Sequence, residues 1–474
     1  MKKLFGLLLI GIIFVTSFGL QASPVYAYAY DTSFESVIHI QNVGTDTAVI
    51  TLFVYDQNGN VSDYEIADIP ELGSTSLYVG TLGVSTGFKG SAVINSSQPL
   101  ATVISQSSAG DVRNQPLSSG FTAGSDSVLI PTVLKNMFFV HSVFSVQNVD
   151  TVAVDLKFTF VPLVGEFPYV AGTPIEYEKE GLEPNVAFYV DMNTFAPITA
   201  ASFNGSVFIE ATKSGTTEPG SIVASSMELE FAGNNAYAFD GALTTGSKVY
   251  LPSAQCRFGP MNNETTAYAV SNPNDFPVDV IVTYSNGLVD GPYTLVPYGK
   301  RSFDGCNAGL PTGFLGSAIA ESVGGHDIHA VGKIYGGGLY PAHLGFISGE
   351  SKVSLPYIRW TEANWLNGVG HRTYIAIQNI GSSDIPEGEI SVKYYNKGGD
   401  LVGTHVLGAV SVGSKLNSHP WFIGAPGLEF GADGGGAAIV EGPAGSELAV
   451  VVRVQRYIGN QQSVGEDFTG IPIN

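Results

Sequence analysis

The segment Val37-Ile38-His39-Ile40-Gln41-Asn42 contains the pattern that decides the fold of this chain. Its β-branched residues alternate in a period of two, which predicts a half-buried strand. An Asn at the end of such a strand is suited to an Asx turn, in which its side chain accepts a hydrogen bond from the backbone two residues further on. We therefore predict a strand that ends in a sharp corner, with a structural role for the Asn.

The same pattern recurs three more times. The intervals between the closing Asn residues are 106, 124 and 107 residues, and the residues are Asn42, Asn148, Asn272 and Asn379. A second alternating strand follows each time. Three copies then carry a Phe-x-Gly-Ser motif, for which we expect a core Phe and a tight entry into a strand; these begin at Phe88, Phe203 and Phe314. Repetition of this kind indicates four copies of one folding unit.

Each copy closes with an apolar residue followed by proline, where we expect the last strand to end; the pairs are Ile130-Pro131, Leu251-Pro252, Leu355-Pro356 and Ile471-Pro472. The landmarks give about seven short strands per copy, which is typical of an antiparallel β-sandwich. The predicted fold class is all-β: four tandem sandwiches at residues 28–131, 132–252, 253–356 and 357–474. An immunoglobulin-like topology is the simplest, and a jelly roll is the alternative. Short joints that contain proline predict a rod.

The amino-acid sequence of the repeats resembles that of tandem modules of secreted and cell-surface proteins from Chloroflexota-type bacteria. The resemblance is carried by Ser36-Val37-Ile38-His39-Ile40-Gln41-Asn42-Val43-Gly44, by the hairpin that follows, and by Gly-Ser-Ala-Val with Gln98-Pro99-Leu100-Ala101. It extends over all four copies. It implies a surface location and a structural or binding role, and it carries no catalytic residue.

Residues 1–27 are predicted to be a signal peptide. Lys2 and Lys3 precede an apolar run from Leu4 to Leu20, and small residues allow cleavage after Ala27 or Ala29. The run is near the lower length limit for crossing a bilayer, which favours a cleaved leader over an anchor. We therefore expect a secreted, extracellular protein of the cell surface, without a membrane span after cleavage.

Two cysteines, Cys256 and Cys306, lie in the third copy. Export to an oxidising compartment favours a disulfide between them, and two free buried thiols are the alternative. Two cysteines alone make a poor zinc site.

Charge and composition narrow the function. Acidic side chains outnumber basic ones by 42 to 21, and the net charge of −21 argues against nucleic-acid binding. Only 13% of the residues are charged, which suits surfaces that pack against copies of themselves. The copies share no titratable residue, whereas a tandem enzyme is expected to repeat its catalytic group. We predict a non-enzymatic structural protein, a subunit of a surface layer, sheath or filament that associates with copies of itself or with other cell-surface components.

The three tryptophans of the fourth copy are the candidate ligand-binding residues: Trp360, Trp365 and Trp421. Exposed aromatic rings on a sandwich could stack on sugars, so a carbohydrate-binding or adhesion protein is the alternative function. Packing of the first two into the junction between copies three and four would remove that role.

We predict no cofactor and no metal site. The segment Asp56-Gln57-Asn58-Gly59-Asn60 has alternating oxygen ligands, as in calcium loops, but its place on a hairpin favours a turn. The excess of acidic residues keeps calcium at junctions between copies as a weak alternative.

Overall fold

The structure is a computed structural model that describes residues 34–108, 114–163, 172–230, 234–259, 263–361, 370–423, 435–459 and 462–473. Most of these residues form β-strands, and the strands are arranged in four repeats. Repeat 1 contains β1 (Phe34–Asn42), β2 (Ala48–Asp56), β3 (Val61–Ile69), β4 (Ser74–Tyr78), β5 (Gly90–Ser96), β6 (Leu100–Ser108) and β7 (Leu117–Ser119). Repeat 2 contains β8 (Ser127–Lys135), β9 (Val140–Asn148), β10 (Val154–Pro162), β11 (Ile175–Leu182), β12 (Ala187–Asp191), β13 (Phe203–Lys213), β14 (Ile222–Glu230) and β15 (Asn235–Asp240).

Repeats 3 and 4 follow the same plan. Repeat 3 contains β16 (Lys248–Cys256), β17 (Thr265–Ser271), β18 (Val278–Tyr284), β19 (Val289–Leu295), β20 (Lys300–Asp304), the helical turn α1 (Gly305–Ala308), β21 (Phe314–Val323), β22 (His329–Tyr335) and β23 (Ala342–Leu344). Repeat 4 contains β24 (Lys352–Ile358), β25 (His371–Asn379), β26 (Ser391–Tyr395), β27 (Leu401–Val406), β28 (Lys415–Ser418), β29 (Gly436–Glu441), β30 (Leu448–Gly459), β31 (Gln462–Thr469) and β32 (Ile471–Pro472). Short 3-10 turns lie at Val79–Leu82 and Pro420–Ile423.

Each repeat is built from two antiparallel sheets. In repeat 2 their strand orders are β11-β10-β13-β8 and β12-β9-β14-β15, and repeats 3 and 4 reproduce these orders with their own strands. Repeat 4 adds β32 beside β24, whereas repeat 1 has a four-stranded sheet, β4-β1-β6-β7, and a three-stranded one, β3-β2-β5. The predicted all-β class with antiparallel sheets is confirmed.

The Ile/Leu-Pro pairs lie where a repeat begins. Three of them fall inside β8, β16 and β24, which pair with β13, β21 and β29 of the repeat that follows. The prediction that this proline ends the last strand of a repeat is therefore wrong, and the three predicted boundaries cut through these strands. The strands continue past the proline because their register shifts there, and a bulge tolerates a residue without an N–H. The fourth pair forms β32, which pairs back onto β24.

The four repeated Asn residues form the predicted Asx turns. In each copy Oδ1 accepts a hydrogen bond from the backbone N–H two residues on, at 2.8–3.1 Å. Nδ2 donates to the carbonyl oxygen four residues on, at 2.7–2.9 Å. All four side chains are buried. Their role is structural.

The Phe-x-Gly-Ser motif begins a strand and also joins one repeat to the next. A Cβ atom on Gly205 would lie 2.2 Å from the carbonyl oxygen of Val161 and 2.6 Å from the Phe203 ring, so only glycine fits. The Ser hydroxyl then donates to a backbone carbonyl of the next repeat. These bonds join Ser91 to Asn185, Ser206 to Tyr298 and Ser317 to Gly413.

The repeats close into a ring. Strand β7 lies against β15 and β31, and β23 lies against the same two strands, so the equivalent edge strands of all four repeats meet around one axis. Strand β8 packs on β17 and β22, β16 on β25 and β30, and β24 on β1 and β6. The predicted rod is wrong, because these sheets also have apolar outer faces: Ala101 and Val103 of repeat 1 belong to the core of repeat 4. No helix in the described part of the chain is long and apolar enough to cross a bilayer.

Candidate binding surfaces

Trp360 is a core residue of repeat 4 and not an exposed ligand-binding residue. Its ring is 5% exposed and stacks on His419, with centroids 5.2 Å apart and planes within 6°. The edge of Tyr374 and the guanidinium of Arg372 cover it further. The backbone bridge between Trp360 and Arg372 brings the ring inward at this point. Trp360 therefore cannot act as a sugar-stacking surface, and Trp365 lies outside the described residues.

Trp421 is exposed, as the binding hypothesis requires. It lies on the 3-10 turn at Pro420–Ile423 beside Phe422, and these side chains are 46% and 52% exposed. Phe422 packs on the rings of His419 and His405, with centroids 4.0 and 4.6 Å away. We call Trp421 and Phe422 the Trp421 platform. It presents two aromatic faces of the kind that stack on sugar rings or on other apolar surfaces.

The histidines behind the platform are neutral at physiological pH. Burial, followed by the charges of His405 and Arg372, lowers the pKa of His419 to about 4. Burial also lowers the pKa of His405. Burial thus favours the uncharged form of both rings behind the platform, and His419 is neutral at pH 7.

A second apolar surface lies on the hairpin between β8 and β9. Met137 and Val140 exchange backbone hydrogen bonds of 3.1 and 2.8 Å, so Phe138 and Phe139 form a two-residue turn. Their φ angles are 54° and 62°, which defines a turn of type I′, where Asn and Gly are preferred. The two side chains are 69% and 62% exposed. Sequence analysis missed this site, although two Phe residues between strands, without Gly, Asp or Asn beside them, were a visible signal.

The ring axis contains buried polar links between the repeats. Asn114 of repeat 1 pairs with both backbone groups of Ala236 in repeat 2, and Lys333 of repeat 3 pairs with Glu228 of repeat 2. The other links join repeat 4 to repeats 3 and 1. They are His343 to Asp467 at 3.3 Å, Gln115 N–H to Glu466, and Ser119 to Thr469. We call these groups the central polar ring.

Two carboxyls at the axis hold protons near neutral pH. Burial raises the pKa of Asp240 to about 7, against the hydrogen bonds from Ser119. Burial likewise raises the pKa of Glu466 to about 8, against the N–H of Gln115. Burial also acts to raise the pKa of Asp467, but Arg453 and His343 together outweigh it and hold that pKa below its usual range. These groups link the repeats to one another.

The predicted disulfide is present in repeat 3. Cys256 at the end of β16 is bonded to Cys306 in α1, with Cα atoms 5.2 Å apart. It fixes the helical turn against the first strand of its repeat.

The Asp56 hairpin uses its carboxylate oxygens within the turn. Oδ1 accepts from the N–H groups of Asn58 and Asn60 at 2.8 and 2.9 Å, and Oδ2 accepts from Asn60 Nδ2 at 2.8 Å. The Asn60 side chain, then its backbone, lowers the pKa of Asp56. No cluster of three or more potential metal ligands occurs in the residues that the structure describes.

A cavity of about 190 Å³ lies between repeats 2 and 3. Ser127 and Phe208 line it on one side, and Asn274 and Asp327 on the other. Asp327 accepts a hydrogen bond from Thr245 at 3.1 Å and is the one carboxylate among the described lining residues. The cavity therefore does not supply the paired carboxylates of a hydrolase.

No family model matches this chain, and no curated protein matches it. Among solved structures, the tetra-tandem repeat in the extending region of a large adhesion protein is 12% identical, with 94% of this chain and 96% of that chain covered. The TM-score is 0.10, so this likeness carries no argument about fold or function.

Proposed function

We propose that this protein is a secreted, non-enzymatic structural protein of the cell surface that assembles with copies of itself. The observation that carries the proposal is the Phe138–Phe139 turn. An L-residue with its backbone in the left-handed region destabilises the fold by about 1–2 kcal/mol. Both Phe residues adopt this conformation, and both side chains are exposed to solvent. Strain of this kind is retained where a side chain has a function.

Contact between copies of the chain would account for both the strained backbone and the exposed aromatic side chains. Burial of a Phe side chain in an interface contributes about 1.5–3 kcal/mol, which is enough to offset the strain at its position. The scarcity of charged residues lowers the repulsion between two copies of the chain.

The test replaces the turn with the sequence that its backbone prefers. The double variant Phe138→Asn/Phe139→Gly is expected to raise the free energy of unfolding by about 1–2 kcal/mol, because Asn and Gly accept positive φ. The same variant is expected to lose self-association in sedimentation velocity and ordered arrays in negative-stain microscopy, with calcium and with chelator. Val406→Asn, which removes an exposed apolar side chain from β27, is the control and should assemble as the parent does.

Two results would overturn the proposal. One is a parent protein that remains as isolated rings at high concentration under both ionic conditions. The other is a double variant that is more stable but assembles like the parent.

Carbohydrate binding is the second candidate function, and the exposed Trp421 platform favours it. Trp421→Ala should abolish binding on a glycan array without a change in unfolding temperature, since the ring is about half exposed. Trp421→Phe, which retains an aromatic face, should keep part of the binding. Equal glycan binding by the parent and Trp421→Ala would exclude the platform.

A further inference from the structure

The first strand of repeats 2, 3 and 4 has a partner on each side. Strand β8 pairs with β13 and also bridges from Leu129 to Ala242, just after β15. Repeat 3 has the equivalent bridge from Tyr250 to Phe346, and repeat 4 has the pairing of Ser354 with Ile471. The strand therefore joins the two sheets of its sandwich along one side.

Repeat 1 has the two backbone edges between which a first strand would lie. In the part of the chain that the structure describes, β5 pairs with β2 and with no strand on its other edge. The counterpart of Ala242 is Phe121, since Gly120 N–H donates to Thr102 as Gly241 N–H donates to Ala224, each at 2.8 Å. No bridge to Phe121 occurs among the described residues.

The core of repeat 1 is open at this position. Ala92 and Ile94 of β5 are partly exposed, whereas their counterparts Val207 and Ile209 in β13 are fully buried. The first strands elsewhere place two aliphatic side chains over this part of the core, and all six are buried. They are Val128 and Ile130, Val249 and Leu251, and Val353 and Leu355.

The outer face of repeat 2 is open at the same place. The first strand of each repeat also packs on the sheet of the next repeat, as β24 does on β1 and β6. Three polar side chains lie at equivalent positions at or next to that contact and are fully buried: Gln41, Ser271 and Gln378. Their counterpart in repeat 2, Gln147, is partly exposed. Two independent surfaces thus outline one slot between repeats 1 and 2 that no strand of the described residues fills.

We propose that this slot accepts an extended segment of another protein, which adds as an antiparallel strand to β5 and covers Ala92 and Ile94. Strand addition to an exposed edge gives backbone hydrogen bonds, and pockets for alternate side chains give specificity. The three first strands define the chemistry of the segment, because each reads Val-x-Ile/Leu-Pro. Its Val and Ile or Leu side chains enter the core of repeat 1.

The predicted cleavage of the signal peptide favours another protein as the source of the added strand. Cleavage after Ala27 would leave six residues, 28–33, ahead of β1. The three first strands begin 13, 17 and 19 residues ahead of the strand that follows them. A chain that starts at Tyr28 would therefore lack the 13 to 19 residues that separate each of the other first strands from the strand after it. This inference goes beyond the proposed function, since a monomeric ring could bind the segment.

The test uses a synthetic nine-residue peptide with the sequence of Ser127–Lys135. Calorimetry should show binding of one peptide to the chain that starts at Tyr28, which contains every described residue, and to the full chain. A peptide with Asp at the positions of Val128 and Ile130 should bind at least about 100-fold more weakly, because two buried aliphatic side chains are lost. Amide exchange should show new protection at Ala92 and Ile94 with the first peptide only.

A variant of β5 tests the edge itself. Ser97 N–H donates to Val49 on β2, so the alternation of the strand turns the N–H of Ala92 to the open edge. Ala92→Pro removes that donor and should weaken peptide binding at least about tenfold. Ala92→Val, which copies position 207 and keeps the N–H, should bind as the parent does.

Three results would overturn the proposal. The first is no binding of the parent peptide, and the second is equal binding of the Asp peptide. The third is slow exchange at Ala92 and Ile94 without any peptide, which would show that the slot is already filled. Because the exchange measurement uses the parent chain, it decides the matter even if Ala92→Pro does not fold.

Discussion

Repeats 1 and 2 have the same signature residues and bury their apolar surface in different places. In repeat 2 the inner faces of both sheets are covered: Phe158 and Ile209 of one sheet and Val146 of the other are fully buried. In repeat 1 the inner residue Ile104 is partly exposed, while its neighbour Val103, on the outer face, is fully buried under repeat 4. A repeat with an open core is thus held from outside, and the ring supplies stability that the sandwich itself lacks.

Groups from both neighbours reach repeat 1. The ring of Tyr357 in repeat 4 stacks on His39 with centroids 3.9 Å apart, and Ser354 donates to Gln41 at 2.6 Å. Near the axis, Asp240 of repeat 2 accepts from the N–H of Ser119 at 3.1 Å. Closure of the ring and folding of repeat 1 are therefore expected to be coupled.

The largest expected difference between the repeats is in the cost of removing a core side chain. Ile209→Ala in repeat 2 should destabilise by about 3–4 kcal/mol, because a closed core leaves a cavity. Ile94→Ala at the equivalent position in repeat 1 should cost about 1 kcal/mol, since solvent already reaches that side chain. Amide exchange resolved by repeat would measure both. Similar costs for the two variants would mean that the core of repeat 1 is as closed as that of repeat 2.

The second prediction concerns pH, through the carboxyls that hold repeat 1 to its neighbours. Asp240 and Glu466 have folded-state pKa values of about 7 and about 8, above the values of about 4 expected in the unfolded chain. The stability that they contribute is complete below about pH 4 and is lost as the pH rises through 7 to 8. Between those limits the folded state holds the extra proton, so each carboxyl lowers the free energy of unfolding by about 1.4 kcal/mol per pH unit.

Glu466→Gln isolates this effect. The amide keeps an oxygen that can accept from Gln115 N–H and does not titrate, so the slope between about pH 5 and 7 should become less negative by about 1.4 kcal/mol per unit. Burial lowers the pKa values of His39 and His329, and these act with the opposite sign below pH 6.5 in both proteins. Urea titrations of the two proteins at each pH give the difference. Parallel profiles would contradict a protonated Glu466 at the axis.

Local features of the fold could be predicted from the sequence, because they depend on neighbouring residues. Strand alternation and the four Asx turns are of this kind, whereas the disulfide could be predicted because the chain has only two cysteines. Ring closure depends on contacts between residues about a hundred positions apart or more, as between Val103 and repeat 4. One signal was nevertheless present: the apolar runs from Leu100 to Ile104, interrupted only by Thr102, and from Leu448 to Val452 predict strands buried on both faces.

The candidate site was harder to predict than the fold. Trp360 and Trp421 look alike in the sequence, and the partners that separate them, such as Tyr374 and His419, are set by tertiary packing. The slot between repeats 1 and 2 could not be predicted at all, since it depends on knowing that the Val-x-Ile/Leu-Pro segment opens a repeat and does not close one.

The smallest expected effect compares one position in the two repeats. Gln41 is fully buried in repeat 1 and accepts a hydrogen bond from Ser354 of repeat 4, so Gln41→Ala should cost about 1–2 kcal/mol by leaving a buried hydroxyl without its acceptor. Gln147 in repeat 2 donates to Asn185 at 3.1 Å but lies partly exposed, and water can replace the amide there. Gln147→Ala should therefore cost less than about 0.5 kcal/mol. If the peptide that fills the slot is added, the cost of Gln147→Ala should rise toward that of Gln41→Ala, because the added strand would exclude water from position 147. Equal costs of Gln147→Ala with and without bound peptide would mean that the added strand leaves this side chain in water and does not pack on repeat 2 as β24 packs on repeat 1.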